Sequence, residues 1–242
     1  MAQEVPQKKP QASAARIVRD RVQRGGARFW GHADFHRLPP AAVATALSRL
    51  AREGELQRVG KGVYYRPVPT SLGMSMPAAS GVAAATLTAP LHPAGLSAAN
   101  VLGLSTQNPR RPEYATPAPG PPTALRHAVV HTGRPPQRAG LTAEDGAILE
   151  LLRERARSSD LSPEETVGRL RRLLADEDRI RRLVTAVMAE PPRVRAMLGA
   201  LGQEMGMPPR LLDRLRQSLN PLSRFDFGHL TSLRHAREWQ AK

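Results

Sequence analysis

The chain has 242 residues, 40% of them hydrophobic but only 4% aromatic, so its core must be built mainly from Leu, Val, Ala and Met. Its 36 Lys and Arg outnumber its 21 Asp and Glu, and the resulting charge of +15 favours polyanionic partners. The absence of cysteine excludes disulfides and cysteine-ligated zinc or iron–sulfur sites. No stretch approaches the ~20 apolar residues of a membrane-spanning helix, and the start lacks the apolar segment of a secretory signal. We therefore expect a cytoplasmic protein.

The positive charge has two explanations at this stage: contacts with a polyanion, or a genome that prefers arginine codons. Arginine supplies most of the excess, and its planar guanidinium suits phosphate and guanine contacts better than lysine does. Through residue 69 there are three Lys and ten Arg against five acids, so this segment carries +8 of the +15. Codon preference alone does not predict such a local excess, which favours a functional basic surface.

The first elements are a basic arm and a helix. Residues 1–12 carry Lys8 and Lys9 and have the composition of a disordered segment. Residues 13–24 follow a helical pattern that begins at Ser13, a suitable N-cap, and ends at Gly25. The pattern predicts that Ile17, Val18 and Val22 face inward. It places Arg16, Arg19 and Arg24 on the outward side.

The following elements complete a compact unit. Residues 27–30 are extended, residues 31–35 form a turn or two of helix, and residues 39–53 form a longer helix that starts at two prolines. Two short β-patterned runs, residues 55–59 and 63–66, are joined by a turn containing Lys61 between two glycines. This order of elements is typical of a winged helix-turn-helix. Residues 13–69 are therefore predicted to form a DNA-binding domain.

The helix at residues 39–53 is the predicted groove-binding element, because a helix-turn-helix lays its second helix in the major groove. Val43, Leu47 and Leu50 must face the core, which turns four candidates for base contact outward: Thr45, Ser48, Arg49 and Arg52. Arg49 is the strongest candidate, since bidentate arginine–guanine pairing is the commonest specific contact. The alternative is that Arg49 only pairs with Glu53, four residues further on.

The predicted hairpin adds candidates for contact with the DNA phosphate backbone. Lys61 at its tip suits a phosphate, and Arg58 and Arg66 lie on the flanking strands. For Lys61 the alternative is a solvated turn lysine.

The remainder is predicted to be mostly helical, giving an α+β fold, mostly α, for the whole chain. Residues 67–77 form a linker or extended connection. Residues 78–140 form a small α+β unit, with helices at 80–88 and 97–102 and extended runs at 113–116 and 125–131. From residue 141 to 242 a helical bundle follows. Its helices start at Thr142, Ser162 and Asp176 and at the Pro pairs near 191 and 208, and a final helix ends at Trp239.

No catalytic or cofactor site is predicted. The seven histidines lack metal-ligand spacing, and the glycines around Lys61 lack the frame of a P-loop. Ser105 and Thr106 have no partnered base, and Asp226 has no second carboxylate nearby in the sequence. We therefore expect a protein that is not an enzyme and binds neither metal nor cofactor.

Two segments carry a resemblance to a known family. They are VATALSRLAREGELQRVGKGVY at residues 43–64 and GLSAANVLGLSTQNP at residues 95–109. Together they resemble the AbiEi-type antitoxins of type IV toxin–antitoxin systems, in a DUF6088-like branch. The resemblance covers residues 13–131. Residues 190–239, with EPPRVR at 190–195 and LNPLSRFDFG at 219–228, resemble the C-terminal portion of that branch.

The resemblance implies two activities. The winged helix would repress its own operon at promoter inverted repeats, and the remainder would counteract a nucleotidyltransferase toxin. Ser105, Thr106 and Gln107 would then form an exposed polar turn that is a candidate for toxin antagonism, against the alternative of a turn that only satisfies backbone groups. The helical tail from about residue 141 exceeds the family's minimal body. Two other hypotheses remain open: a stand-alone regulator with a dimerisation or sensing bundle, and an interaction module that binds acidic protein.

Overall fold

The computed structural model describes residues 13–86, 89–121, 125 and 127–242. These residues form two compact units, the first ending at residue 86 and the second containing all described residues from 89 onward. Both units combine helices with small sheets, which confirms an α+β fold. This division differs from the expected one, in which residues 78–140 and 141–242 were separate parts. The predicted basic arm with Lys8 and Lys9 lies outside the described residues.

The first unit begins with helix α1, Ala14–Arg24, where the Ser13 hydroxyl accepts a hydrogen bond from the Arg16 backbone at 3.4 Å. Val18 and Val22 are fully buried, as predicted. Ile17, however, is 38% exposed, so its inward assignment was wrong. Residues 18 and 22 are one helical turn apart and define the buried stripe, whereas residue 17 lies about 100° around the helix from residue 18.

A three-stranded antiparallel sheet and a second helix complete the packing around α1. Strand β1 (Phe29–Trp30) leads through a 3-10 turn (His32–Phe35) to helix α2 (Pro40–Arg52), followed by strands β2 (Gln57–Gly60) and β3 (Val63–Tyr65). The strand order is β1-β3-β2. Helices and sheet share one apolar core, whose members include Val18, Val22, Trp30, Phe35, Val43, Leu47, Leu50, Leu56 and Tyr64. The predicted order of elements in residues 13–66 is confirmed.

The segment predicted as a linker, residues 67–77, contains a small hairpin of strands β4 (Pro69–Thr70) and β5 (Gly73–Met74). The Ser75 hydroxyl fixes its base, since it accepts from the Val68 backbone at 2.9 Å and lies 3.1 Å from the Tyr65 hydroxyl. Helix α3 (Ala79–Thr86) follows and belongs to the first unit. The helix predicted at 80–88 is thus present, and residues 87 and 88 lie outside the described part.

The second unit opens with a three-stranded sheet in the order β6-β7-β8. Its strands are β6 (His92–Pro93), β7 (Glu113–Ala115) and β8 (Val129–His131), and helix α4 (Gly95–Val101) lies between the first two in the chain. The helix predicted at 97–102 and the extended run at 113–116 are confirmed. Of the run predicted at 125–131, only the last three residues form a strand. Strand β6 was not predicted, because two residues carry no usable periodicity.

The other helices of the second unit are α5 (Ala143–Arg153), α6 (Pro163–Leu173), α7 (Glu177–Val187), α8 (Pro192–Glu204) and α9 (Pro209–Gln217). Thr142, Ser162 and Asp176 cap the first three, as predicted. The predicted final helix is wrong, because the described chain there forms only 3-10 turns, Gly228–Ser232 and Arg237–Trp239. None of the helices in the described ranges is both long and apolar enough to cross a membrane.

A buried ionic cluster joins α5 to the residue pair before α8 and to the segment that precedes α5. The Arg138 side chain is 0% exposed, and it donates to Glu150 at 2.5 Å and to Glu190 at 2.7 Å. Arg134 donates both of its bonds to Glu150, at 2.8 and 2.9 Å, and Arg153 pairs with the second oxygen of Glu190. Buried charges require such partners, because an unpaired charge away from water is strongly destabilising.

Substitution of Glu190 tests this cluster. The Glu190→Gln variant keeps the side-chain shape but removes the charge facing Arg138 and Arg153. We expect the free energy of unfolding to fall by about 3–5 kcal/mol, because a buried pair is broken. Urea denaturation followed by circular dichroism measures this change. Glu177→Gln is the matched control, since that side chain is 87% exposed and its loss should have little effect. Equal losses in both variants would contradict the role of the cluster.

Candidate nucleic-acid interface

Helix α2 presents one polar face to solvent. Val43, Leu47 and Leu50 are buried against α1 and the sheet. The four side chains predicted to contact bases are all exposed: Thr45, Ser48, Arg49 and Arg52. Their spacing of three, one and three residues places them on one side of the helix, because a helix has 3.6 residues per turn. We call these four residues the outer face of α2.

Arg49 is both exposed and paired. Its side chain is 66% exposed, and its Nε donates to Glu53 Oε1 at 2.8 Å. The second oxygen of Glu53 accepts a hydrogen bond from Arg19 of α1. The hydrogen bond from Arg49, together with the charge of Arg19, holds the pKa of the Glu53 carboxyl below its usual value. The alternative pairing considered for Arg49 is therefore present, and it uses only Nε, so the two terminal nitrogens of the guanidinium keep their N–H donors.

The other members of the outer face differ in how they are held. The Thr45 hydroxyl donates to the Ala41 carbonyl at 3.0 Å, which restrains its rotamer. Ser48 is exposed on the next turn, and Arg52 makes no ion pair with a carboxylate of the described residues. The face therefore combines a threonine bonded to its own helix, an exposed serine, an arginine held by Glu53 and an arginine without a carboxylate partner in the described residues.

The β2–β3 hairpin carries the second predicted group. Lys61 is exposed at the turn, and the following Gly62 has φ of +71°, a conformation that favours glycine. The Arg58 Nε donates to the Gly60 carbonyl at 3.3 Å, so this side chain lies toward the turn. Arg66 is only half-buried, and its backbone N–H donates to the Arg28 carbonyl at 3.0 Å. Lys61 and Arg58 are thus more accessible than Arg66 to a partner at the hairpin.

Two further arginines lie beside the outer face and were not included in the predicted set. Arg16 and Arg19 of α1 line a shallow groove together with Arg49, above Ala46 and Leu50. The sequence pattern placed both on the outward side of α1. It could not show that this side meets α2, because the approach of the two helices depends on tertiary packing.

The charges of this region are unevenly compensated. Residues 13–69 contain eleven Lys and Arg against four Asp and Glu. Each of the four acids forms an ion pair, with Arg16, Arg19, Arg28 or Arg49. The seven remaining cations have no carboxylate within 4.0 Å in the described part of the chain: Arg21, Arg24, Arg37, Arg52, Arg58, Lys61 and Arg66. The region therefore presents a net positive surface.

The three residues considered for toxin antagonism lie in the second unit, in a turn that is held by hydrogen bonds to Asp160. Ser105 is buried, and its hydroxyl donates to Asp160 at 2.5 Å and accepts from the Gln107 backbone at 3.1 Å. The Gln107 side chain also donates to Asp160. The expectation of an exposed turn is therefore wrong for Ser105, because Asp160 holds it inside. Of the three, Thr106 alone is exposed with no hydrogen bond within the described residues.

Within the described ranges, no group of three or more His, Asp or Glu could hold a metal ion. The Nε2 of His131 lies 2.6 Å from Glu113 Oε1.

Comparison with known proteins gives a family match and a structural similarity. Residues 22–120 match the model of a family of unknown function, DUF6088, and this match covers less than half of the 242 residues. The fold is similar to the crystal structure of the RV2827C protein from Mycobacterium tuberculosis, with a TM-score of 0.51 and 19% identity. That alignment covers 94% of this chain and 90% of the other. No curated protein matches the sequence.

The pairing of Arg49 with Glu53 can be tested by titration. We expect the pKa of the Glu53 carboxyl, measured by carbon-detected NMR, to rise toward its ordinary value in the Arg49→Ala variant. Since this pKa is lowered in the folded chain, the pair persists above it and is lost as the pH falls through it. Arg52→Ala is the matched control and should leave the Glu53 pKa unchanged. A pKa that stays the same in both variants would show that the pair does not form in solution.

Proposed function

We propose that this chain is a cytoplasmic DNA-binding regulator whose first unit is a winged helix-turn-helix. Helix α2 would lie in the major groove, and the β2–β3 hairpin would be the wing. The chain would act as a binding protein and not as an enzyme. It would bind double-stranded DNA at promoter inverted repeats.

The observation that carries this proposal is the outer face of α2. Four side chains able to hydrogen-bond bases point away from the core on one side of a helix that packs on α1 and leads into a hairpin. This is the arrangement in which a recognition helix contacts base edges while the preceding helix crosses the phosphate backbone. Arg49 is proposed to contact guanine, with Thr45, Ser48 and Arg52 as neighbouring base contacts.

The surrounding charge supports the phosphate contacts that binding requires. Phosphate neutralisation supplies most of the non-specific affinity of DNA-binding proteins. Lys61 and Arg58 at the hairpin are proposed to contact the backbone, with Arg66 as a weaker contributor because it is half-buried. Arg16 and Arg19, beside Arg49 in the groove of α1 and α2, suit the adjacent phosphates.

We further propose that the regulator is an antitoxin that counteracts a nucleotidyltransferase-type toxin. The support is the resemblance of residues 43–64 and 95–109 to AbiEi-type antitoxins. The match of residues 22–120 to a family of unknown function includes both segments but adds no activity to them. Because Ser105 and Gln107 are tied to Asp160, Thr106 is the member of that turn best placed to meet a partner.

One observation favours a second candidate, a stand-alone regulator with a sensing domain. The second unit contains an open cleft lined almost entirely by charged side chains, including Glu113, Glu154 and Arg193. Ligand pockets in proteins are usually of comparable size and contain convergent polar groups, and this cleft differs from most of them in its highly charged lining.

DNA binding is tested by gel-shift titration of the full chain on its own promoter region. Arg49→Ala should weaken specific sites by about 1–3 kcal/mol and relax the preference at one base pair. Lys61→Ala should weaken all sequences alike and reduce the salt slope by about one. Arg224→Ala is the matched control, since Arg224 is exposed and its side chain bonds only backbone carbonyls in the described residues.

Two results would contradict the DNA proposal. If Arg49→Ala and Lys61→Ala lose affinity equally on every sequence, Arg49 does not contact bases. If the wild-type chain binds no DNA but retains an acidic protein partner, the basic surface serves protein recognition instead.

The antitoxin proposal needs its own experiment. Coexpression of the full chain with a nucleotidyltransferase encoded beside it should restore growth of cells that the enzyme alone arrests. The Arg49→Ala variant should restore growth equally when expressed from an unrelated promoter, because neutralisation is assigned to the remainder of the chain. Failure of the wild-type chain to restore growth would refute the neutralising role and leave the DNA-binding role intact.

A further inference from the structure

The cleft of the second unit has an unusual composition. It has a volume of about 340 Å³ and is lined by residues of β7, β8, α5 and α8 together with the start of α4. Every lining residue except Gly95 and Pro191 is ionisable. Gly95 has φ of +51°, and a side chain there would collide with the Glu113 carboxylate, so glycine allows that carboxylate to reach the cleft. Such walls favour a charged ligand over an apolar one, and the described lining contains no Phe, Trp or Tyr.

Most of these charges already have partners. The His131 Nε2 lies 2.6 Å from Glu113, and Arg134 donates twice to Glu150. Arg153 pairs with Glu190 in the buried ionic cluster. The two charged lining residues that remain are Glu154 and Arg193.

Glu154 is the lining carboxylate that has no basic partner among the described residues. One of its oxygens accepts from the Ser158 hydroxyl at 3.0 Å, while the other is buried with no hydrogen-bond partner among the described residues. Burial raises the pKa of the Glu154 carboxyl, and the nearby Glu113 and Glu150 carboxylates raise it further. A cationic group beside Glu154 would offset this repulsion.

Arg193 lies where positive charge is in excess. One terminal nitrogen donates to the Arg153 carbonyl at 3.0 Å, and its buried Nε has no partner in the described chain. Burial lowers the pKa of Arg193, and the neighbouring Arg155 and Arg153 act in the same direction, against the attraction of Asp226. An anionic group beside Arg193 would offset this repulsion.

Glu154 and Arg193 do not compensate each other. They line the same cleft, but no ion pair within 4.0 Å joins them. A ligand with only negative groups would meet the Glu113 and Glu154 carboxylates, and a polyamine would meet Arg153 and Arg193. The charge pattern is complementary to a molecule that carries one charge of each sign.

We propose that this cleft binds a small zwitterion of the amino-acid class, with its ammonium group at Glu154 and its carboxylate at Arg193. The volume of about 340 Å³ lies at the lower end of the range of ligand pockets, roughly 300–1,000 Å³, and suits a molecule of that size. Arginine can bind a carboxylate through two parallel hydrogen bonds, which would orient the ligand with its carboxylate toward Arg193. The proposal concerns the second unit and does not depend on DNA binding by the first.

Isothermal titration calorimetry of the full chain with each proteinogenic L-amino acid tests the site. We expect saturable binding of at least one of them at millimolar concentration or below. Glu154→Gln and Arg193→Met should each weaken it by about tenfold to a hundredfold, since each removes a charge-assisted hydrogen bond. The matched controls are Glu164→Gln and Arg195→Met. Neither residue lines the cleft, and both variants should bind as the wild type does.

Ligand analogues on the wild-type chain keep the test independent of variant folding. The α-amide of the bound amino acid lacks the carboxylate, and its N-acetyl derivative lacks the ammonium group, so both should bind at least tenfold more weakly. Absence of binding by every amino acid would overturn the proposal. Equal binding of the N-acetyl derivative would also overturn it, because the site would then recognise an anion alone.

Discussion

The packing of α1 against α2 is the constraint on which the interface depends. Val18 and Val22 of α1 share one core with Leu47 and Leu50 of α2, and all four side chains are almost fully buried. A helix with 3.6 residues per turn has no rotational freedom once such a stripe is buried. The exposure of the outer face of α2 is therefore a consequence of core packing. Any substitution that rotates α2 would move all four candidate base contacts together.

The ion pair of Arg49 with Glu53 is compatible with DNA contact. Exposed ion pairs contribute little to stability, because both partners remain hydrated. Arg49 uses only its Nε for Glu53, and the guanidinium has four more N–H donors in a fixed plane. The pair can therefore orient the terminal nitrogens that bidentate guanine contact requires. Arg19, which shares Glu53, joins this arrangement to α1. The observed pair with Glu53 therefore does not exclude the base contact proposed for Arg49.

Local signals made much of the fold predictable, and distant contacts made the rest unpredictable. N-caps such as Ser13 and Thr142 and the glycine-edged turn at Lys61 act within a few residues, so they are visible in the sequence. The burial of Ser105 depends on Asp160, 55 residues away. The cleft likewise brings together Glu113, Glu154 and Arg193, whose spacing carries no motif. The end of the chain follows a helical pattern but forms 3-10 turns.

Arginine has two distinct uses in this chain, which is why composition alone could not identify a basic surface. In the second unit, arginines satisfy buried acids: Arg138 joins Glu150 and Glu190, and Arg179 and Arg182 both donate to the fully buried Asp145. The charges of these guanidiniums are compensated by the acids they contact, so we assign them a structural role. In residues 13–69 the four acids are too few to pair with all eleven Lys and Arg. A polyanion, such as the proposed DNA partner, would compensate the remaining charge. The pairing of each arginine, more than the number of arginines, therefore supports a functional basic surface over codon preference.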